Sequence, residues 1–158
     1  MLRGEGAAFF DSDEGRSISG SVYDACEYLS HLPGRGLDSD FGALSVRVFY
    51  HNPCHLKVRN IKDTVSLFGL IPGLEVAGIS TSCCGMGGSY GMKKKNYGRS
   101  TEIGRKVFEE VRASKADVVA TECGGCGLQI RAGTGARIVH PVTLLSNAYA
   151  LTSRDDNR

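Results

Sequence analysis

The chain lacks the features that would give it away cheaply. No apolar run approaches the roughly 18 residues needed to cross a bilayer, and the N-terminal MLRGEGAAFF has no secretory h-region. Neither sign of charge dominates: 19 Lys and Arg stand against 17 Asp and Glu, a net of +2. That balance provides no strong basic field for nucleic acid as a main partner. There is no internal repeat and no low-complexity tract. The glycines of GCGLQIRAGTGA do not fall in a GxGxxG frame, so a dinucleotide site is unsupported. With 158 residues, 41% hydrophobic and 23% charged, the chain is one domain's length and can bury a core. A soluble, cytosolic protein is the expectation.

Two residue types depart from the average. Glycine numbers 21, well above the usual ~7%. Cysteine numbers six, at 26, 54, 83, 84, 123 and 126. That is too sparse for a disulfide-dense mini-protein, and without an export signal clustered cysteines read as metal ligands or redox groups.

An α/β rhythm runs through the chain. Residues 1–18 show no periodicity and read as a loose lead-in. From Ser21, Val22, Ala25, Cys26, Leu29 and Leu32 fall at helical spacing, with Ser19 or Ser21 as cap and Pro33-Gly34 as stop. GRGLDSD then reads as a loop. Strands are expected at Ser45–Tyr50, Leu74–Ile79, Asp117–Thr121 and, briefly, Arg137–His140. Helices are expected at Ile61–Leu70, Thr101–Ser114 and Pro141–Ala150. The fold class that follows is α/β, a small, mostly parallel sheet flanked by helices. The expected division is a lead-in and helix over 1–40, a cysteine-rich module over 41–152 and a polar tail over 153–158.

Laid over this rhythm, five of the six cysteines follow strands. Cys54 comes after the first, Cys83 and Cys84 after the second, Cys123 and Cys126 after the third. Loops leaving the carboxyl ends of parallel strands gather along one edge, so these thiols are expected to converge there. Each lies in a turn rich in glycine or proline: Pro53-Cys54-His55, Cys83-Cys84-Gly85-Met86-Gly87-Gly88 and Cys123-Gly124-Gly125-Cys126-Gly127. Glycine lets backbone N–H groups approach sulfur, and such hydrogen bonds tune iron–sulfur centres. Structural zinc and a cubane cluster each need four ligands. Five cysteines with an adjacent pair suit a larger or less regular cluster better. Burial as small hydrophobes and a thioredoxin-type dithiol are the remaining readings. The dithiol leaves Cys54 and the Cys83-Cys84 pair unexplained.

Pro-Cys-His-Leu (53–56), Cys-Cys-Gly-Met-Gly-Gly (83–88) and Cys-x-x-Cys-x-x-Gln (123–129) resemble the cysteine-rich CCG domain. That family includes proteins of the heterodisulfide reductase and glycolate oxidase iron–sulfur type. The run Tyr90-Gly-Met-Lys-Lys-Lys-Asn-Tyr97, with His140-Pro141 and Leu144-Leu145, looks most like the branch found in anaerobic glycerol-3-phosphate dehydrogenases. The likeness covers roughly residues 22–150. It implies an electron-transfer role, with Cys54, Cys83, Cys84, Cys123 and Cys126 ligating an iron–sulfur cluster, non-cubane [4Fe–4S] in some relatives and zinc in others. It also implies a flavin-containing dehydrogenase subunit as donor and a membrane or quinone-reducing partner as acceptor. The chain would then sit in the cytoplasm, peripheral to the membrane through its partners. The alternative is a zinc-stabilised subunit-interaction module without redox turnover. Full-length members carry ferredoxin-like C-x2-C-x2-C-x3-C-P runs and two modules. With one module and no such run, the chain is expected to be a C-terminal portion, a split subunit or a truncated product.

Other residues have plainer readings. Cys26 sits on an apolar helix face and reads as packing. His55 is either near the cluster or an ordinary loop histidine, and His51 and His140 read as structural. Gln129 reads as a helix-surface residue by default, with a hydrogen bond near the CxxC as the alternative. Lys93, Lys94 and Lys95 form either a solvated face or a basic feature that offsets thiolate charge or docks an acidic partner.

Overall fold

The computed structural model describes residues 12–32, 37, 38, 40–56 and 62–155. The Pro33-Gly34 stop, most of the GRGLDSD loop, Ile61 and the end of the polar tail lie outside the described residues.

Four strands form one all-parallel sheet: β1 (Val46–His51), β2 (Leu74–Ser80), β3 (Val118–Ala120) and β4 (Ile138–Val139), in the order β2-β1-β3-β4. Parallel pairing requires crossover connections, and helices supply them. After α1 (Asp13–Ser21) and α2 (Ala25–Ser30) come α3 (Lys62–Phe68) between β1 and β2, α4 (Tyr97–Ser114) between β2 and β3, α5 (Gly124–Thr134) between β3 and β4, and α6 (Pro141–Asp155) after β4. The chain leaves β1 toward β2 and later returns to β1's other side through β3. The direction of winding therefore reverses beside β1, the position in an open α/β sheet where ligands bind.

Strand alternation divides the core in two. Val48, Tyr50, Val118 and Ala120 face one cluster, completed by Cys26, Phe41, Leu67, Phe68, Leu144, Leu145 and Ala148. Phe49 and Val119 face the other, where Val107, Phe108, Val111 and Ile130 of α4 and α5 pack with Cys84, Met86 and Cys126. The Val118–Ala120 strand is buried throughout, as its nearly all-apolar sequence predicts.

Three expectations need correcting. Residues 1–18 read as a loose lead-in, but Asp13–Ser21 is helical. Ser12 Oγ accepts the Gly15 N–H (3.0 Å), and Asp13 and Glu14 lie against the positive end of the helix dipole. With few apolar residues, that helix has no periodicity to reveal it. Second, neither Ser19 nor Ser21 caps the next helix. Val22–Asp24 is extended, and Asp24 begins α2 with a capping box: its side chain accepts from the Cys26 N–H while Glu27 accepts from the Asp24 N–H. Third, α4 begins at Tyr97, four residues before the predicted Thr101, and α6 extends past Ala150 to Asp155.

Candidate metal centre

Each cysteine-bearing turn starts where a strand ends. His51 closes β1, and its ring is 1% exposed. Its Nε2 lies 3.1 Å from the Ser82 carbonyl oxygen and its Nδ1 3.4 Å from Thr121 Oγ1. A carbonyl only accepts, so Nε2 carries the proton and Nδ1 accepts from the threonine hydroxyl. Thr121 Oγ1 in turn accepts the Cys123 N–H (3.4 Å). One imidazole thus ties the end of β1 to the residue before Cys83 and, through Thr121, to Cys123. The structural role read for His51 is the one it has. Glu110 of α4 adds a second anchor, accepting from Ser80 and Ser82.

A third tie lies on the opposite side. Gln129 Nε2 donates to Ser100 Oγ (2.9 Å), which donates to the Gly85 carbonyl (2.8 Å). Ser100 and Gln129 are buried, so Gln129 is not the surface residue its default reading supposed. It connects the CxxC helix to the Cys83-Cys84 turn. That turn requires glycine at 85: φ is +86°, and an added Cβ would lie 1.9 Å from the Ser100 carbonyl oxygen.

These ties bring Cys84 Sγ and Cys126 Sγ to 3.0 Å, across 42 positions of sequence. Both are buried in the second apolar cluster. Cys123 is the N-cap of α5, and its sulfur accepts the Cys126 N–H (3.4 Å). Cys83 Sγ accepts the Gly85 N–H (3.4 Å) but is exposed, as is Cys54 in the 3-10 turn Cys54–Leu56. The structure thus joins Cys84, Cys126 and Cys123 and leaves Cys83, in the same turn as Cys84, and Cys54, on the turn after β1, exposed at the same sheet edge. Among the described residues, no three His, Cys, Asp or Glu side chains stand in metal-holding geometry. His55 is exposed, and His140 caps α6 by accepting the Val142 N–H.

The two touching thiols are electrostatically unequal. A hydrogen bond from Cys126, helped by the Met86 and Cys84 backbone N–H groups, lowers the Cys84 thiol and favours its thiolate. The same shared proton, with burial and the nearby Cys123 sulfur, pushes Cys126 up. Behind the edge, Glu122 accepts from Tyr50 Oη (2.9 Å) and Thr64 Oγ1 (2.7 Å). Beside Cys123 opens a cavity of about 360 Å³ whose walls include Glu122, Arg131 and His140. Sequence reasoning missed Ser100, Glu110 and Glu122, which are polar residues in otherwise amphipathic or post-strand segments. The position of Glu122 beside Cys123 was the only hint.

A sequence profile described as the CCG cysteine-rich domain matches residues 48–131, more than half of the chain. The chain belongs to that family. Among curated proteins, this CCG chain is 44% identical over 108 residues to a subunit of the anaerobic glycerol-3-phosphate dehydrogenase of Escherichia coli K12 (68% of this chain, 27% of that one). It is 31% identical over 140 residues to a subunit of the fumarate reductase (CoM/CoB) of Methanothermobacter marburgensis (82% and 28%). It is 32% identical over 90 residues to an uncharacterized iron–sulfur protein of Methanocaldococcus jannaschii (56% and 18%). The chain therefore spans little more than a quarter of the first two relatives. The CCG assignment and the all-parallel sheet agree with the expectations drawn from the sequence. Among the described residues no helix is long and apolar enough to cross a membrane.

Proposed function

We propose that this chain is the iron–sulfur electron-transfer part of a respiratory dehydrogenase of the glycerol-3-phosphate type. It would pass electrons from a flavin-containing subunit toward a membrane or quinone-reducing partner. The observation that carries the reading is the Cys84–Cys126 contact: two glycine-rich turns far apart in sequence present their sulfurs to each other at the carboxyl edge of the sheet. The relatives' names, an iron–sulfur protein and subunits of a dehydrogenase and a reductase, point the same way.

Cys54, Cys83, Cys84, Cys123 and Cys126 are the proposed ligands, and the donor chemistry fits. All five come from three neighbouring strand ends, and Cys83 and Cys123 already accept backbone N–H groups as cluster sulfurs do. A bound cluster supplies one-electron transfer. The chain's own part is positional and electrostatic. His51 and the Gln129–Ser100–Gly85 relay hold the turns in register. Phe49, Met86 and Ile130 keep water from the buried thiol pair, which strengthens each interaction made there. Placement in the cytoplasm, peripheral to the membrane through partner subunits, follows from this role.

Protein purified without oxygen tests the reading by iron and acid-labile sulfide content and by EPR of the reduced state. Iron and sulfide in stoichiometric ratio, with a paramagnetic reduced form lost in Cys84→Ser, are expected. Iron-free protein holding stoichiometric zinc, still able to bind its partner subunits, would instead establish the interaction module without redox turnover.

A further inference from the structure

From Val76 to Thr101 the chain contains no Asp or Glu, yet it carries Lys93, Lys94, Lys95 and Arg99. All four are exposed, and among the described residues none pairs with a carboxylate. Between and beside them stand the large apolar side chains of Tyr90, Met92 and Tyr97, which are 43%, 63% and 55% exposed. A stretch that shows its aromatic and thioether groups to water beside unneutralised cations has the composition of an interface core with a charged rim.

The backbone below is ordered. Gly91 N–H donates to the Met86 carbonyl (2.8 Å), Tyr90 N–H to Gly87, Lys93 N–H to Tyr90 and Asn96 N–H to Lys93. Asn96 Nδ2 donates to the Tyr90 carbonyl (3.0 Å). The segment is thus a pre-shaped platform, and binding through it loses little backbone entropy. It also grows directly out of the cysteine turn: Met86 lies against Gly91 on one side and Gly125 of the CxxC on the other.

We infer that the platform formed by Tyr90, Met92, Lys93–Lys95, Tyr97 and Arg99 is the docking face for an acidic surface of the subunit that exchanges electrons with this chain. The identity of that partner rests on the electron-transfer reading; the charge and shape of the face do not. Its position explains why it lies here. Electron exchange requires close approach to the sulfur site, and among the described residues this exposed, cationic face is contiguous with the Cys83-Cys84 turn. Complementary charge speeds encounter and sets orientation, and the apolar groups then seal the contact.

The test uses the complex that carries this chain, purified from its host. A carbodiimide, which joins lysine to carboxylate at zero length, is applied and the links are mapped by mass spectrometry. Links from Lys93–Lys95 to Asp or Glu of a partner subunit are expected. In Lys93→Glu/Lys94→Glu/Lys95→Glu, association should weaken tenfold or more, and the salt dependence of binding should flatten. Iron content and the EPR signal of the variant should match the parent, showing an intact site. Links mapping elsewhere, or unchanged affinity in the triple variant, would overturn the proposal. So would loss of binding to anionic phosphatidylglycerol vesicles with the complex intact, since the face would then serve a membrane. A parent protein without iron would defeat the electron-transfer reading alone, because the cross-link map decides the docking face by itself.

Discussion

Helix α4 offers a paired test of the close packing that positions Cys84. It holds glycines at 98 and 104. In a helix interior, replacing glycine by alanine normally stabilises by about 1 kcal/mol, because alanine has less backbone freedom to lose. At Gly98 an added Cβ meets nothing within 4 Å. Gly98→Ala should therefore gain a few tenths to about 1 kcal/mol, the lower end because it lies in the first turn. At Gly104 the same methyl would lie 2.5 Å from the Cys84 carbonyl oxygen and 2.6 Å from Phe108 Cζ. The oxygen belongs to backbone, and the Phe108 ring is itself pressed against Gly133 of α5, so neither neighbour can yield cheaply. Overpacking of this kind costs about 1–3 kcal/mol. Set against the propensity gain, Gly104→Ala should show no net gain and come out destabilised by up to about 2 kcal/mol. The relief available is a shift of the Cys84 turn away from α4, which would separate Cys84 from Cys126. Urea unfolding followed by circular dichroism reads the two signs, and anaerobic iron content reads the displacement. Equal stabilisation of both variants would refute the packing argument, and loss of stability with undiminished iron would show that Phe108, not the turn, absorbs the methyl.

Four other outcomes are expected. Burial, with the Glu122 and Asp24 carboxylates, pushes the Cys26 thiol up to about 12, against about 8.5 in an unfolded chain. The folded state then keeps a proton that the unfolded state releases, so stability should fall as pH rises from about 8.5 toward 12; a Cys26→Ala variant with the same alkaline slope would contradict this. In folded, metal-free protein Cys26 should also resist alkylation at pH 8 while the exposed Cys54 and Cys83 react, as peptide mapping can show. Tyr50→Phe removes a donor from the Glu122 carboxylate and should cost about 1.5–3 kcal/mol in urea unfolding; a loss below 0.5 kcal/mol, on the order of an ordinary surface change, would mean the bond is idle. Stripping a bound metal with a chelator should lower the unfolding midpoint by mass action, because only the folded chain presents the sulfurs together.

Much of this architecture was legible because its causes are local. The β-branched runs at 46–51, 74–80 and 118–120 and the 3.6-residue apolar spacing of α4 each report the face they bury within a few neighbours. The post-strand placement of five cysteines was equally visible, since parallel strands send their loops to one edge. Helix α1 was illegible for the converse reason. It is held by the Ser12 cap and the Arg16–Asp13 pair, with too few apolar positions to set a period.

What the linear chain determined by itself, then, was the alternation of strands and helices, the family motifs and the sheet edge on which the thiols fall. Which thiols touch was decided only in three dimensions. The strand order β2-β1-β3 and its register place Cys84 against Cys126 while Cys54 and Cys83 face water. Likewise, Tyr50, Thr64 and Glu122 come from three separate segments and become a hydrogen-bonded group only through packing. Contacts of that kind depend on the relative placement of elements dozens of residues apart, and residue spacing along one segment carries no record of it.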